Sequence, residues 1–221
     1  MSHQIKILET QSLTHDVTRL TIEKPDGYSF NPGQATEVSI NMEGYREEKR
    51  PFTFTSLPSD DTLEFTIKSY HDHDGVTHKI DSLNAGDEFI IDDAWGAIEY
   101  KGKGTFIAGG AGVTPFIAIL RYLEAKGELE GNRLIFSNKT EKDVIMRDEF
   151  RGMLGEDFIS TLTQEKAEGH ENGRIDADFL KKHVDDFSQQ FYVCGPEEMV
   201  EDINGHLKEL GADGDSLVFE E

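Results

Sequence analysis

Cysteine is nearly absent: the 221 residues contain one, Cys194. An intramolecular disulfide framework is therefore excluded, as are a four-cysteine iron–sulfur cluster and a cysteine-rich zinc site within this sequence. Cationic residues are scarce too. Lys and Arg number 22 against 44 Asp and Glu, a formal charge of -22 that is spread over both halves of the chain. Nucleic acid and anionic membrane surfaces both demand a cationic face, so neither is an expected partner. No stretch approaches the ~20 apolar residues of a membrane-crossing helix, and Met1–Leu8 has no apolar signal core. The expectation is a soluble, cytoplasmic protein. What is present is core material. With 36% hydrophobic residues and 14 Phe, the chain has enough apolar side chains to exclude wholesale disorder.

The apolar pattern changes halfway. Ile5 and Ile7, Val17 to Ile22, Val38 and Ile40, Phe52 and Phe54, Leu63 to Ile67, and Phe89 and Ile91 alternate with period two. Turn signals such as Asn31-Pro32-Gly33 and Ala85-Gly86-Asp87 separate them, and Val76, Ile80 and Leu83 alone show helical spacing. Residues 1–103 are therefore expected to form an antiparallel Greek-key β-barrel with one short helix. From Gly104 onward, continuous apolar strands at Thr105–Ala108, Leu134–Phe136, Phe158–Leu162, Phe191–Cys194 and Leu217–Phe219 alternate with helical patterns. This predicts a second domain, residues 104–221, of α/β class with a doubly wound parallel five-stranded sheet.

Three motifs carry chemistry. Ile107-Ala-Gly-Gly-Ala-Gly-Val-Thr-Pro115 runs from a strand through glycines into a helix, with Thr114 as expected cap and Pro115 in the first turn. Close backbone approach and free helix N–H groups suit a pyrophosphate, although a plain glycine-rich turn has the same sequence. Arg50-Pro-Phe-Thr-Phe-Thr-Ser56 alternates a cation, aromatic rings and hydroxyls along one strand. Arginine suits a phosphate and a ring suits a planar heterocycle, while an ordinary barrel strand is the structural alternative. Phe191-Tyr-Val-Cys-Gly-Pro-Glu-Glu-Met199 puts a cysteine at a strand end before a helix, where α/β sheets bind ligands, or where a small apolar residue is simply buried. The run His71-Asp-His-Asp-Gly-Val-Thr-His78 reads as a loop entering a helix capped by Asp74, so no metal is expected.

In this order, the three motifs resemble the ferredoxin–NADP reductase family over nearly the whole chain. Asn31-Pro-Gly-Gln34, Ile67-Lys-Ser-Tyr70, Gly75-Val-Thr77, Gly86-Asp87 and Gly96 fall between them in family order. The resemblance implies FAD on the barrel and NADH or NADPH as cosubstrate on the second domain. By similarity, Arg50 and Pro51 would meet the flavin pyrophosphate, Phe52 would stack on the ring, and Thr53 would hydrogen-bond near the ring N5. Ile67, Lys68, Ser69 and Tyr70 would line the flavin, with Gly75, Val76 and Thr77 at its pyrophosphate. Gly110, Ala111, Gly112, Val113, Thr114 and Pro115 would take the coenzyme pyrophosphate. Ser137, Asn138 and Lys139 would border the adenine ribose, and Cys194, Gly195 and Pro196 would lie beside the nicotinamide. Thr53 and Cys194 are the expected catalytic residues.

Three features depart from the family pattern: Phe52 for the commoner Tyr, Asp93-Ala94-Trp95 before Gly96, and residues continuing past the terminal aromatic Phe219. The implied function is hydride transfer from NAD(P)H to FAD, then single electrons to a separate flavodoxin, ferredoxin, haem protein or oxygenase. The alternative is a flavin-binding electron-relay or regulatory subunit without stand-alone reductase activity. The loop Phe136-Ser-Asn-Lys-Thr-Glu-Lys-Asp143 favours NADH, because it resembles that of NADH-dependent flavin domains and its lysines adjoin acids. An acidic acceptor would need a local cationic patch, for which Arg46, Lys49 and Lys68 are the candidates.

Overall fold

The computed structural model describes residues 1–70, 75–96 and 98–219. The six expected barrel strands are β1 (His3–Ser12), β2 (Val17–Glu23), β3 (Ala35–Ile40), β4 (Arg50–Thr53), β5 (Thr62–Lys68) and β6 (Glu88–Ile91), with helix α1 (Val76–Asp81) between the last two. They pair antiparallel in the order β4-β3-β6-β1-β2-β5. A bridge between Phe54 and Phe65 joins the two ends, so the barrel is nearly closed. Alternation explains the strands: Ile5, Ile7, Leu20, Ile22, Val38, Phe54, Phe65 and Phe89 point inward and form one buried cluster. Helix α1 is preceded by Gly75, which caps it without a side-chain hydrogen bond. The sequence pointed to Asp74 as cap; Asp74 lies outside the described residues, as do His71, Asp72 and His73.

The second sheet is parallel throughout, in the order β10-β9-β8-β7-β11-β12. Its strands are β7 (Gly104–Gly109), β8 (Arg133–Asn138), β9 (Phe158–Leu162), β10 (Glu171–Asn172), β11 (Gln190–Cys194) and β12 (Leu217–Phe219). Five were expected. The sixth, β10, is a polar edge pair whose two residues are too few to show any period. Helices α2 (Thr114–Lys126), α3 (Arg147–Leu154), α4 (Ala177–His183) and α5 (Glu197–Glu209) alternate with the strands.

Successive residues of each strand feed opposite faces, which is why the sheet is wound on both sides. Phe106, Ala108, Leu134, Phe136 and Tyr192 pack with Phe116, Ile119 and Leu120 of α2 and Phe150 of α3. Ile107, Ile135, Phe191 and Val193 pack on the other face with Leu180 of α4 and Ile203 and Leu207 of α5. Each of these fully buried large side chains stabilises the fold by about 1.5–3 kcal/mol before entropy is counted. Tyr192 does more than fill space. Its ring stacks on Phe106 at 4.4 Å, and its hydroxyl accepts from Lys101 N and Gly102 N and donates to Gly102 O. The segment entering the second sheet is thereby tied to the core of that sheet.

Candidate functional site

β4 and β5 are the two end strands of the barrel sheet, and their free edges face each other. They meet at the base of this seam, where Phe54 pairs with Phe65 and Thr55 N donates to Glu64 O at 2.8 Å. Further along, β4 bonds to Ala35–Val38 and β5 bonds to Val17–Glu23. Antiparallel register through the bridge sets residues 50–53 alongside 66–69. The structure therefore brings together two of the predicted sets, Arg50–Thr53 and Ile67–Tyr70, on opposite lips of one slot. Strand edges with unpaired backbone groups suit a flat ligand whose rim carries hydrogen-bonding atoms.

The side chains on these lips are unequal. Arg50 is exposed; its guanidinium donates to Lys49 O at 2.6 Å and lies 3.5 Å from Glu48. Pro51 is exposed, Thr53 is half-buried, and half-buried Phe52 rests its ring 6.2 Å from Phe65. Tyr70 is one of the few large exposed hydrophobic residues, at 48%. Ile67 is buried, and buried Ser69 donates its hydroxyl to Thr77 O at 3.0 Å. That bond joins the lip to the start of α1, so Gly75, Val76 and Thr77 belong to the same site. Lys68 is different: its ammonium is paired with Asp16 at 2.8 Å. Burial pushes the Asp16 carboxyl up, but the hydrogen bonds from Lys68 and Thr14 outweigh it and hold the pKa below the ordinary value.

The second site lies where the order of the parallel sheet reverses, between β7 and β11, the usual ligand crevice of a doubly wound sheet. A 3-10 turn, Gly110–Val113, leads from β7 into α2. Thr114 is therefore not the cap but the first residue of α2, which Val113 precedes; Thr114 Oγ1 donates back to Ala111 O at 3.0 Å, and Pro115 occupies the first turn. A Cβ on Gly112 would stand 2.5 Å from Cys194 O and 2.6 Å from Gly195 Cα, so only glycine lets this turn rest on the end of β11. Gly110, at φ +53, has open space where a Cβ would be. The glycine turn and Cys194–Pro196 are thus one site. Cys194 is 6% exposed.

At the neighbouring end of β8, Ser137 is half-buried, Lys139 is exposed, and Asn138 is buried with Nδ2 lacking a hydrogen-bond partner. A buried amide donor of this kind costs about 1–3 kcal/mol unless something accepts from it. The orphaned donor and the open glycine turn together fit a dinucleotide. The following loop closes on itself: Asp143 accepts from Thr140 N and Oγ1, a reciprocal cap. Phe219 belongs to β12, where it pairs with Val193 and packs on that face of the sheet.

Sequence reasoning missed how the two sites are joined. Arg121 of α2 reaches across to Thr55 O and Glu64 Oε1 of the barrel, and nothing local in the sequence marks it. A second crossing brings His15 within 3.7 Å of Asp143 and 3.6 Å of Asp16. The Lys68 ammonium already supplies the cation there, and that cluster is accordingly a salt link. Of the three docking candidates, Lys49 is paired with Asp92 at 2.6 Å and Lys68 with Asp16, while Arg46 donates to Asn41. The expected cationic patch is thereby reduced to the Arg46 guanidinium. A cleft of about 540 Å³ beside Arg133, Ser160, His170 and His183 lies at the opposite, N-terminal end of the parallel strands. No helix among the described residues is long and apolar enough to cross a membrane.

Comparison with known proteins supplies the chemistry. Residues 2–89 match the model of an FAD-binding domain, and residues 106–205 that of an oxidoreductase NAD-binding domain. The reductase component of propane 2-monooxygenase from Rhodococcus jostii is 26% identical over 97% of this chain and 62% of its own length. NADH-cytochrome b5 reductase 2 from Mycosarcoma maydis is 27% identical over 96% of this chain and 67% of its own. The chain thus spans about two thirds of the length of these relatives. In fold, a ferredoxin NADP+ reductase from Neisseria gonorrhoeae, solved with bound FAD and NADP, superposes with a TM-score of 0.87 at 21% identity. That superposition covers 99% of this chain and 98% of the other.

Proposed function

The chain carries an FAD-binding domain followed by an oxidoreductase NAD-binding domain, and from that premise we propose that it is an NADH-dependent flavoprotein reductase of the ferredoxin–NADP reductase family. It takes electrons from the coenzyme and passes them singly to a protein acceptor outside these 221 residues. The observation that carries this reading is the course of α2. The helix starts at the glycine turn of the crevice and, about 10 Å along its axis, touches the base of the barrel seam through Arg121. Two ligand sites so joined can bring a flat ring and a dinucleotide face to face.

Bound FAD supplies the chemistry: a two-electron acceptor for the coenzyme and a one-electron donor for the next carrier. The protein supplies position. Arg50, turned from Glu48, neutralises the flavin pyrophosphate beside Pro51. Phe52 packs on the ring, and Thr53 offers a hydroxyl at its rim. Backbone groups of Ile67–Tyr70 line the other lip, and the uncapped N–H groups of Gly75–Thr77 receive phosphate. Gly110–Pro115 bind the coenzyme pyrophosphate. Ser137, Asn138 and Lys139 border its adenine ribose, while Cys194, Gly195 and Pro196 flank the nicotinamide. The working division of the chain is 1–103 and 104–221.

NADH is preferred because Lys139 and Lys142, the cations that a 2′-phosphate would use, are exposed and adjoin the acids Glu141 and Asp143. The relatives named above as reductase components support an oxygenase or cytochrome as acceptor. Anaerobic mixing of FAD-loaded protein with NADH or NADPH is the test. Prompt loss of flavin colour identifies a reductase, whereas an unchanged spectrum with both coenzymes identifies a relay subunit. A preference for NADPH of about tenfold or more, close to 1.4 kcal/mol, would refute the reading of the Asn138–Asp143 loop.

A further inference from the structure

Arg121 is the most heavily bonded side chain at the junction of the two domains. It sits on α2, with its side chain 19% exposed. Towards its own domain it grips Glu149 of α3 as a bidentate pair, Nε to Oε1 at 2.5 Å and Nη2 to Oε2 at 3.1 Å. Towards the barrel, Nη1 donates to Thr55 O at 2.7 Å and to Glu64 Oε1 at 2.8 Å. Those barrel partners are not incidental surface groups. Thr55 and Glu64 close the base of the seam, where Thr55 Oγ1 also donates to Glu64 Oε1 at 2.8 Å and meets Thr66 Oγ1 at 3.2 Å. Thr55 lies two residues beyond Thr53 on the same strand run.

Burial opposes the charge of Arg121, yet Glu149 and Glu64 more than offset it, and the guanidinium is held well above its ordinary pKa. The guanidinium therefore keeps its charge despite burial. A lysine could not reproduce the geometry, since a planar fork alone makes a bidentate pair on one side and two bonds on the other. Nearby, Met146 is the sole non-glycine residue among those described with positive φ, at 53°, and its sulfur lies 3.9 Å from Nη2. A strained backbone position held at a contact is a common mark of a site where geometry matters. Apolar contacts of Val17 and Ile98 with the α2 side of the core remain when the charge is removed, so the junction does not depend on Arg121 for its existence.

We propose that Arg121 is a positioning residue, which holds the helix carrying the coenzyme-binding turn against the closed end of the flavin seam and so sets the distance for flavin reduction. The inference rests on the reductase reading above. Errors of about 1 Å in such a distance cost about 100-fold in rate, so a lost clamp is visible in kinetics before it is visible in binding.

The test compares FAD-loaded wild type, Arg121→Met and Arg121→Lys in anaerobic stopped flow with saturating NADH, alongside FAD titration and calorimetry. Arg121→Met is expected to slow flavin reduction about tenfold or more while FAD affinity stays within about twofold. Arg121→Lys is expected between the two, since one bond to Thr55 O can survive. Independently of activity, Arg121→Met is expected to unfold at a lower temperature than wild type, because the polar contacts across the junction are lost while the apolar ones remain. A reduction rate equal to wild type, or unfolding at the wild-type temperature, overturns the proposal. Should Arg121→Met fail to fold, Glu64→Gln removes the cross-domain charge together with the pairing of Glu64 to Arg19 within the barrel, and with Arg19→Met as the control for that second loss it is expected to move both readouts in the same direction; values equal to those of the control overturn it. If wild type is reduced by neither coenzyme, the reductase reading falls, and the calorimetric comparison still decides the clamp.

Discussion

A methyl group at Gly112 tests the crevice at its tightest point. An added Cβ would stand 2.5 Å from Cys194 O, 2.6 Å from Cys194 C and 2.6 Å from Gly195 Cα. All three are backbone atoms, so no side-chain rotation relieves the clash, and either the 3-10 turn or the end of β11 must move. Overpacking of this kind costs about 1–3 kcal/mol. For a chain of this size each kcal/mol shifts Tm by roughly 2–4 °C, so Gly112→Ala is expected to melt about 2–12 °C lower. Gly152 provides the opposite sign: it lies in α3 with nothing within 4 Å of the added atom, and alanine there stabilises by about 0.5–1 kcal/mol through helix propensity. FAD affinity is unaffected by either change, because both lie in the second domain. Flavin reduction by NADH, by contrast, drops about tenfold or more in Gly112→Ala as Cys194 moves from the turn. Calorimetry of both variants beside wild type is the assay. A Gly112→Ala protein that melts at or above the wild-type temperature would show that the turn and the strand end are not in contact, and the single-site reading of the two motifs would fall.

Three other outcomes follow from the same structure. Arg50→Ala is expected to weaken FAD binding by about 1.5–3 kcal/mol, roughly 10- to 100-fold by fluorescence titration; equal flavin occupancy after dialysis contradicts the phosphate contact. Cys194→Ala should keep its full flavin content yet slow reduction by NADH, and an unchanged single-turnover rate returns Cys194 to a packing role. Burial and then Arg147 push His170 below its ordinary 6.5, and burial, Lys182 and Arg133 do so for His183, against pulls from Glu141 and Glu171. Their folded pKa values lie below the unfolded ones, so the stability they contribute is complete above 6.5 and is lost as pH falls through the folded values. Urea midpoints should therefore fall on acidification from about pH 7.5 to 5.5, and less steeply in a His170→Asn, His183→Asn double variant; parallel slopes in the two proteins refute the assignment.

Most of the strands were legible because each buries alternate residues or is buried on both faces. Val17–Glu23 and Phe158–Leu162 show the two cases. Strand β10 was not legible, because two polar residues gain their pairing only from the edge of β9. The cap at Thr114 was misplaced for a related reason: the 3-10 turn already tightens the chain at Gly110–Val113, so the helix begins one residue earlier than the Thr-Pro signal implies. The motifs were legible as residue types in order, whereas the partners of their side chains were not. Lys68 read as a flavin-side cation, and only the fold shows Asp16 opposite it. Arg121 gave no signal because its partners Thr55, Glu64 and Glu149 lie 66, 57 and 28 residues away in sequence.

The arrangement of α2 explains why so little of the site needs to be rigid on its own account. A slot between two strand edges has no backbone hydrogen bonds of its own along its length to fix its width. Along α2, the spacing between the glycine turn and the barrel contact is fixed more firmly, by about 1.5 Å per residue and by a fully buried face, Phe116 to Leu123. Anchoring one end by close packing of Gly112 on Cys194 and the other by Arg121 on Thr55 and Glu64 makes the separation of the two sites a property of the helix. The loops are then free to adapt to their ligands without changing that separation. On this account, variants in the loops should alter affinity for one ligand at a time, whereas variants at the two anchors should alter the rate at which the two ligands react.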